Sequence, residues 1–351
     1  MKTRNALKKA VLELRYKDMD ISKLDDLQEL QLSFTLTTNS RGLHVINELE
    51  SHGVCFDNAR VLDVGCAYGG FSIEARRRGA KMVYGVDIDP ELISLAVTNL
   101  SDETEDFRKA CKFLICDMTS QNALNPAAGL PQGFFDCIFV NDVFEHIYDT
   151  SRLLQIISQL AAPACILYFE IPNGLHYINF VEKEPHSFLY GRSIINPDFS
   201  DYPGTYYRRW DYYSALFAHW GFDKITLFND KCGQDRAGLC IKLREEFART
   251  ETRLHNHFSA DTSQLAKMIM DRLRECRLEF TYDLDKMSVK ELYWKYGVDF
   301  WKGIAVLKRD SCHDLRNQYD RLNEQYTALA NSKLGKIQLV IWNKRHPYKP
   351  P

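Results

Sequence analysis

At 351 residues, with 45% hydrophobic side chains and a formal charge of -2, the chain has room for one large globular domain plus appendages. The near-neutral balance gives no strong nucleic-acid signal. Ten cysteines without a C-x-x-C pair, several of them in apolar strand-like runs (Cys116, Cys137, Cys165), read as reduced core residues, neither a disulfide frame nor a zinc site.

Residues 1–40 read as a helical N-terminal segment whose basic start, broken by Lys8, Lys9, Glu13 and Arg15, argues against a cleaved signal. No apolar run approaches the ~20 residues of a membrane span, so a cytoplasmic protein is expected. From Arg41 the pattern alternates. Leu43, Val45, Ile46 and Leu49 give a helical stripe; a strand at 61–64, a helix at 71–78 closed by Gly79 and a strand at 82–86 follow. Asp89-Pro90 opens a helix with Leu92, Ile93, Ala96, Val97 and Leu100 on its buried face. Strands at 112–116, 137–140 and 165–170 continue the series, with a helix at 151–160 between the last two.

Two further strand-like runs, 224–228 and 238–243, predict a hairpin at the sheet edge. The expected fold is therefore α/β: an open, doubly wound, mainly parallel seven-stranded sheet with a terminal antiparallel hairpin and helical N- and C-terminal additions. The main domain spans 41–245. An accessory helical region follows at 246–310, with Tyr293, Trp294, Tyr296, Phe300 and Trp301 clustered in one helix. Leu315, Tyr319, Leu322, Tyr326 and Leu329 make a heptad helix at 311–331, which pairs two subunits as a coiled coil or packs within one. The tail 332–351 carries Lys333, Lys336, Lys344, Arg345 and Lys349 against no acid, which suits an anionic membrane surface or a partner, or a frayed terminus.

The most informative stretch is Val61-Leu62-Asp63-Val64-Gly65-Cys66-Ala67-Tyr68-Gly69-Gly70, followed by a strand that ends in Asp87. A strand, a glycine turn, a helix and a second strand ending in an acid hold a nucleotide-like ligand at a sheet edge. A dinucleotide turn wants G-x-G-x-x-G; here Ala67 stands at the second glycine, and Asp63 would repel a pyrophosphate but suit a sulfonium and an ammonium. At these residues the chain resembles the class I S-adenosylmethionine-dependent methyltransferases, whose first motif reads D-x-G-x-G-x-G. Ala67 departs from that pattern and Tyr68 adds bulk, so a larger turn is expected.

The resemblance implies a cofactor site of S-adenosylmethionine type. Gly65, Cys66, Ala67 and Gly69 would form its turn, and Asp87 would accept both ribose hydroxyls. Asp117 would receive the adenine amino group, with Met118 and Ile88 beside the ring, and Asn141 would line the methionine end. Arg41 resembles an arginine of ubiquinone-pathway O-methyltransferases that pairs with the methionine carboxylate.

Asn141-Asp142-Val143-Phe144-Glu145-His146 is similar to the E-x-x-E-H segment of the same enzymes, and more distantly of small-RNA 3′-end methyltransferases, where it ligates a divalent metal. On the first turn of a helix Asp142, Glu145 and His146 would share a face, and carboxylates with imidazole suit magnesium, manganese or iron. The alternative is a metal-free Glu-His pair serving as helix cap and substrate-facing base. His186 offers a second imidazole to the catalytic or metal set beside His146 and Glu145, and His176 a third. Five tyrosines between 202 and 213, with Arg208, Arg209 and Trp210, suit a sugar or phenol site or a lid helix.

These residues imply an O-methyltransferase in which His146 or a metal activates a hydroxyl. A small-molecule or glycan acceptor is expected, with sugar or glycan first because Ser332-Lys333-Leu334-Gly335-Lys336 is similar to C-termini of bacterial surface-polysaccharide enzymes. A phenol or quinone precursor comes next and an RNA end third. The rival classes are an NAD-dependent dehydrogenase and a non-catalytic scaffold acting through its C-terminal helix.

Overall fold

The computed structural model describes residues 5–17, 20–21, 32–33, 35–173, 208–228, 235–258, 264–298 and 300–308. The chain forms two compact units, 1–307 and 308–351; apart from Lys308 the second lies outside the described residues, and with it the heptad segment and the basic tail.

Seven strands form one sheet in the order β3-β2-β1-β4-β5-β7-β6. Its parallel part is β1 (Arg60–Val64), β2 (Met82–Asp87), β3 (Cys111–Ile115), β4 (Phe135–Asn141) and β5 (Ala161–Pro172). Central parallel strands are covered on both faces, which is why β1 and β4 read as nearly continuous apolar runs rather than alternating ones. Before β1 come helices α1 (Asn5–Arg15) and α2 (Thr38–Ser51). Between the strands lie α3 (Gly70–Arg77), α4 (Pro90–Leu100), α5 (Glu105–Lys109) and α6 (Thr150–Leu160). Asp89 caps α4 as its sequence suggests, its carboxylate accepting the Glu91 amide at 2.8 Å.

The core has two halves. Val45, Ile46 and Leu49 of α2 and Ile73 of α3 pack on one face of the sheet with Val61, Val83, Phe139 and Tyr168. The opposite face buries Leu62, Val64, Ile138, Val140 and Phe169 under Leu153, Leu154 and Ile157 of α6. Helices α2 and α3 touch backbone to backbone: a Cβ on Gly42 would lie 2.6 Å from the Gly70 carbonyl oxygen. That contact seats the start of α3 and, with it, the glycine turn.

The antiparallel end of the sheet is present but is built differently from the expectation. After α7 (Trp210–His219), β6 (Phe222–Leu227) pairs with β7 (Phe300–Leu307), and β7 lies antiparallel between β5 and β6. The expected strand at 238–243 is instead part of α8 (Arg236–Phe258). Leu239, Leu243 and Phe247 recur at four-residue spacing and are buried against Leu273, Cys276, Phe280 and Leu284 of α9 (Gln264–Lys286), so the helical period prevails over the short apolar run. The sheet thus takes its final strand from beyond residue 245. Of the aromatic cluster expected in one helix, Tyr293, Trp294 and Tyr296 lie on α10 (Val289–Tyr296), whereas Phe300 and Trp301 belong to β7.

Fully buried Asn173, just past β5, fastens the insertion: its amide donates to the carbonyls of Trp294 (2.8 Å) and Val298 (2.7 Å). Among the described residues no helix is long and apolar enough to cross a membrane.

Candidate active site

The parallel strands end at one edge, where open α/β sheets take their ligands. There the turn after β1 is tight. The amides of Gly65 and Cys66 both reach the Val86 carbonyl (2.8 and 3.0 Å), and Gly69 donates to Cys66 at 2.8 Å. Gly65 and Gly69 have φ of +69° and +73°, and a Cβ on Gly69 would lie 2.6 Å from the Phe113 ring. Ala67 adopts φ +44°, the left-handed conformation a glycine would take, and its amide donates to Asp87 Oδ2 at 3.0 Å. The expected enlargement does not arise, because Ala67 bends as glycine does and the Tyr68 side chain packs outward near α1. Burial pushes the Cys66 thiol well above its ordinary range.

Asp87 closes β2. Its Oδ1 accepts the Asp89 amide at 3.0 Å, so each carboxylate oxygen holds one backbone donor and keeps a further lone pair for a ligand hydroxyl. Burial raises its pKa. Beyond it Ile88 is 67% exposed, and Ile115 at the end of β3 is 61% exposed. Two isoleucines bared on neighbouring strand ends make an apolar bracket. Ile115 was missed in the sequence because it sits inside an ordinary strand pattern. Asp117 is exposed, its Oδ1 accepting the amide (2.8 Å) and hydroxyl (2.6 Å) of Thr119, and Met118 is buried.

Asp63 turns inward. It is 3% exposed, and its Oδ2 accepts both the amide (3.1 Å) and the hydroxyl (2.7 Å) of Ser72, tying β1 to the first turn of α3. Desolvation, outweighing those hydrogen bonds, raises its pKa to about 7. The carboxylate read from sequence as a partner for a cationic ligand is thus engaged with the helix end.

After β4 the chain enters an unusual corner. Asp142 has φ +52°, and its amide donates to the Glu170 carbonyl at 3.2 Å. Its carboxylate accepts from Arg41 of α2 (3.2 Å) and from the Asn141 amide (3.1 Å). Arg41 and Asp142 are 33% and 31% exposed. Asn141 Oδ1 is buried and accepts no hydrogen bond, so it awaits a donor.

Only Phe144–His146 are helical, as one 3-10 turn, and Asp142 precedes it in left-handed backbone. The expected common face of Asp142, Glu145 and His146 is therefore not formed: Glu145 is buried and His146 half-buried, while Asp142 faces Arg41. Among the described residues no group of three or more His, Cys, Asp or Glu could hold a metal. Among the described residues, the donor set therefore does not fit a metal. His176 and His186 lie outside the described residues, as do tyrosines 202, 206 and 207.

Two rows flank this corner. On the α2 face, Asn141, Glu170 and Lys302 stand in register across β4, β5 and β7. Glu170 accepts from Lys302 (2.8 Å) and from the Tyr168 hydroxyl (3.1 Å). On the α7 side, Arg208 donates to the Ile147 and Tyr148 carbonyls (3.1 and 2.6 Å), and Tyr212 shares a 2.7 Å hydrogen bond with Thr150.

Residues 40–227 match the family described as "Methyltransferase domain". A ubiquinone biosynthesis O-methyltransferase of Xanthomonas campestris pv. campestris is 28% identical over 135 residues, 37% of this chain and 52% of that protein. The rRNA N(6)-adenosine-methyltransferase metl-5 of Caenorhabditis elegans is 27% identical over 126 residues, 35% of this chain and 56% of that protein. The chain thus spans little more than half the length of these curated relatives. A structure of Haemonchus contortus phosphoethanolamine N-methyltransferase 2 with S-adenosyl-L-methionine overlaps 75% of this chain and 51% of that one at 19% identity and a TM-score of 0.42. The family match covers more than half of the sequence, and it falls on the strands and turn that carry the site: this chain belongs to the methyltransferase-domain family.

Proposed function

We propose that the protein is an S-adenosylmethionine-dependent O-methyltransferase acting on a sugar or glycan hydroxyl. The observation that carries the donor is the turn itself: Ala67 bends over to Asp87 and leaves lone pairs of that carboxylate at the strand end for two ribose hydroxyls. Ile88 and Ile115 bracket the adenine, and Asp117 takes its amino group. Buried Asn141 Oδ1 accepts from the ammonium of the methionine moiety, and Arg41, beside Asp142, turns to its carboxylate. The sulfonium supplies an activated methyl group. The chain's work is to align an acceptor oxygen behind that methyl and exclude water. His146, half-buried beyond β4, takes the hydroxyl proton.

The polar row of Asn141, Glu170 and Lys302 supports a polyhydroxylated acceptor, since carboxylate and ammonium together accept from and donate to sugar hydroxyls. A phenol or quinone precursor is the second reading, favoured by similarity to the Xanthomonas enzyme. Isothermal titration with S-adenosylhomocysteine and NAD tests the donor; binding of NAD with none of S-adenosylhomocysteine sinks the proposal. Release of S-adenosylhomocysteine with sugar nucleotides, glycans and catechols, with and without chelator, then ranks the acceptors.

A further inference from the structure

The glycine turn is fixed at four points: the amides of Gly65, Cys66 and Ala67 bond to β2, and that of Gly69 bonds within the turn to Cys66. A fifth tether comes from outside. The Tyr68 carbonyl accepts from Asn99 Nδ2 at 2.8 Å, and Asn99 is the penultimate residue of α4, fully buried on the same face as Ile93, Ala96 and Leu100. Packing alone would put an aliphatic side chain there, because asparagine is a poor helix former and a buried amide costs stability unless every group is satisfied.

Here it is satisfied. Asn99 Nδ2 also donates to Asn39 Oδ1, and Asn39 Nδ2 donates back to Asn99 Oδ1, both at 3.2 Å. The two amides form a closed pair between α2 and α4, and the second proton of Asn99 is left pointing at Tyr68. The Tyr68 side chain itself packs against the small cluster of Leu7, Val11 and Tyr16 from the N-terminal segment with Leu95 of α4.

We infer that Asn99 is a positioning residue for donor binding, holding the Tyr68 carbonyl so that the turn keeps its ligand-receiving shape, and that Asn39 acts through it. The inference rests on the donor reading above. The peptide between Tyr68 and Gly69 joins a bulky residue to a glycine at φ +73°; its N–H is held by the Cys66 carbonyl, and losing the Asn99 bond to its carbonyl loosens it toward conformers that move Ala67 off Asp87.

Titration of S-adenosylhomocysteine into the wild-type protein, Asn99→Ala, Asn39→Ala, the double variant and Val45→Ala tests this. Asn99→Ala should weaken binding about ten-fold, the value of one hydrogen bond. Asn39→Ala, which leaves the Tyr68 contact in place, should weaken it about three-fold. The double variant should match Asn99→Ala, because the Asn39 side chain is paired with Asn99 and acts on the turn through it. Val45→Ala empties part of the α2 core without touching the turn, so it should lower the melting temperature and keep the Kd within about two-fold. A purely structural role predicts a different result: Asn99→Ala melts earlier but binds as wild type does, and that overturns the inference. If Asn99→Ala does not fold, Asn39→Ala decides alone, with an unchanged Kd counting against it. A wild-type protein that does not bind S-adenosylhomocysteine removes the donor reading first and this inference with it.

Discussion

Ala67 is the residue where local cost and site geometry meet. Its φ of +44° is a conformation that L-residues other than asparagine and aspartate enter at a penalty, yet from it the amide reaches Asp87. Ala67→Gly should relieve that penalty and raise the urea midpoint by the equivalent of about 0.5–1 kcal/mol, with the Asp87 hydrogen bond retained. Asp87→Asn should instead cost about 1 kcal/mol of stability, because one of the Ala67 and Asp89 amides loses its acceptor, and weaken S-adenosylhomocysteine binding at least about ten-fold by titration, since an amide offers only one accepting oxygen to two hydroxyls. Asp63 predicts a pH dependence. Its folded pKa of about 7 lies above the ordinary carboxylate value of 3.8, so the folded state keeps a proton that the unfolded chain releases. Stability from this group is therefore greatest at low pH, falls as pH rises from about 4, and its loss is complete above about 7. Between those limits the stability of wild type relative to Asp63→Asn should drop by something on the order of 3 kcal/mol in urea titrations. A variant difference that does not change with pH would show that the buried carboxyl does not titrate there. Gly65, Gly69 and Asp87 were legible in the sequence because their spacing is the motif. The inward turn of Asp63 was not, because it depends on Ser72 presenting its amide at the helix end nine residues later.

At the scale of elements, the parallel half of the sheet was read nearly to its boundaries, since each strand there is a local apolar run punctuated by a cap or a glycine. The second half was not. The run at 238–243 is too short to distinguish strand from helix by pattern, and its helical partner contacts lie on α9. The expected common face of Asp142, Glu145 and His146 is missing for a related reason: one left-handed residue, Asp142, breaks the helical spacing on which it relied. Within the insertion, α9 and α10 are joined by buried Asp283, which accepts from Lys295 Nζ and the Tyr296 hydroxyl, both at 2.6 Å. Removing that acceptor strands a largely buried ammonium that keeps only Glu279. Asp283→Ala should cost about 3 kcal/mol of unfolding free energy, read by Trp294 fluorescence in urea. A cost near zero would mean that Glu279 compensates fully.

At the scale of the molecule, the sheet is one cooperative object assembled from distant parts of the chain. β7 covers β5 from Ile166 to Pro172 on the edge that β4 leaves open. A fragment ending at residue 245 would bare that edge together with the faces of Phe169 and Ile171, and such edges invite association. Fragment 1–245 should therefore elute as aggregate in size-exclusion chromatography, whereas 1–308 should elute as a folded species with a single unfolding transition. Equal behaviour of the two fragments would mean that the insertion and β7 are dispensable to the core.

The position of β7 also sets a schedule for synthesis. Its two neighbours, β5 and β6, leave the ribosome before it does, and at 5–20 residues per second about 4–15 s separate the end of β6 from the start of β7. During that interval two open strand edges wait for the strand that will join them. A ribosome stalled before residue 300 would hold a nascent chain whose sheet is unfinished in its middle, with its unpaired edges open to association throughout that window.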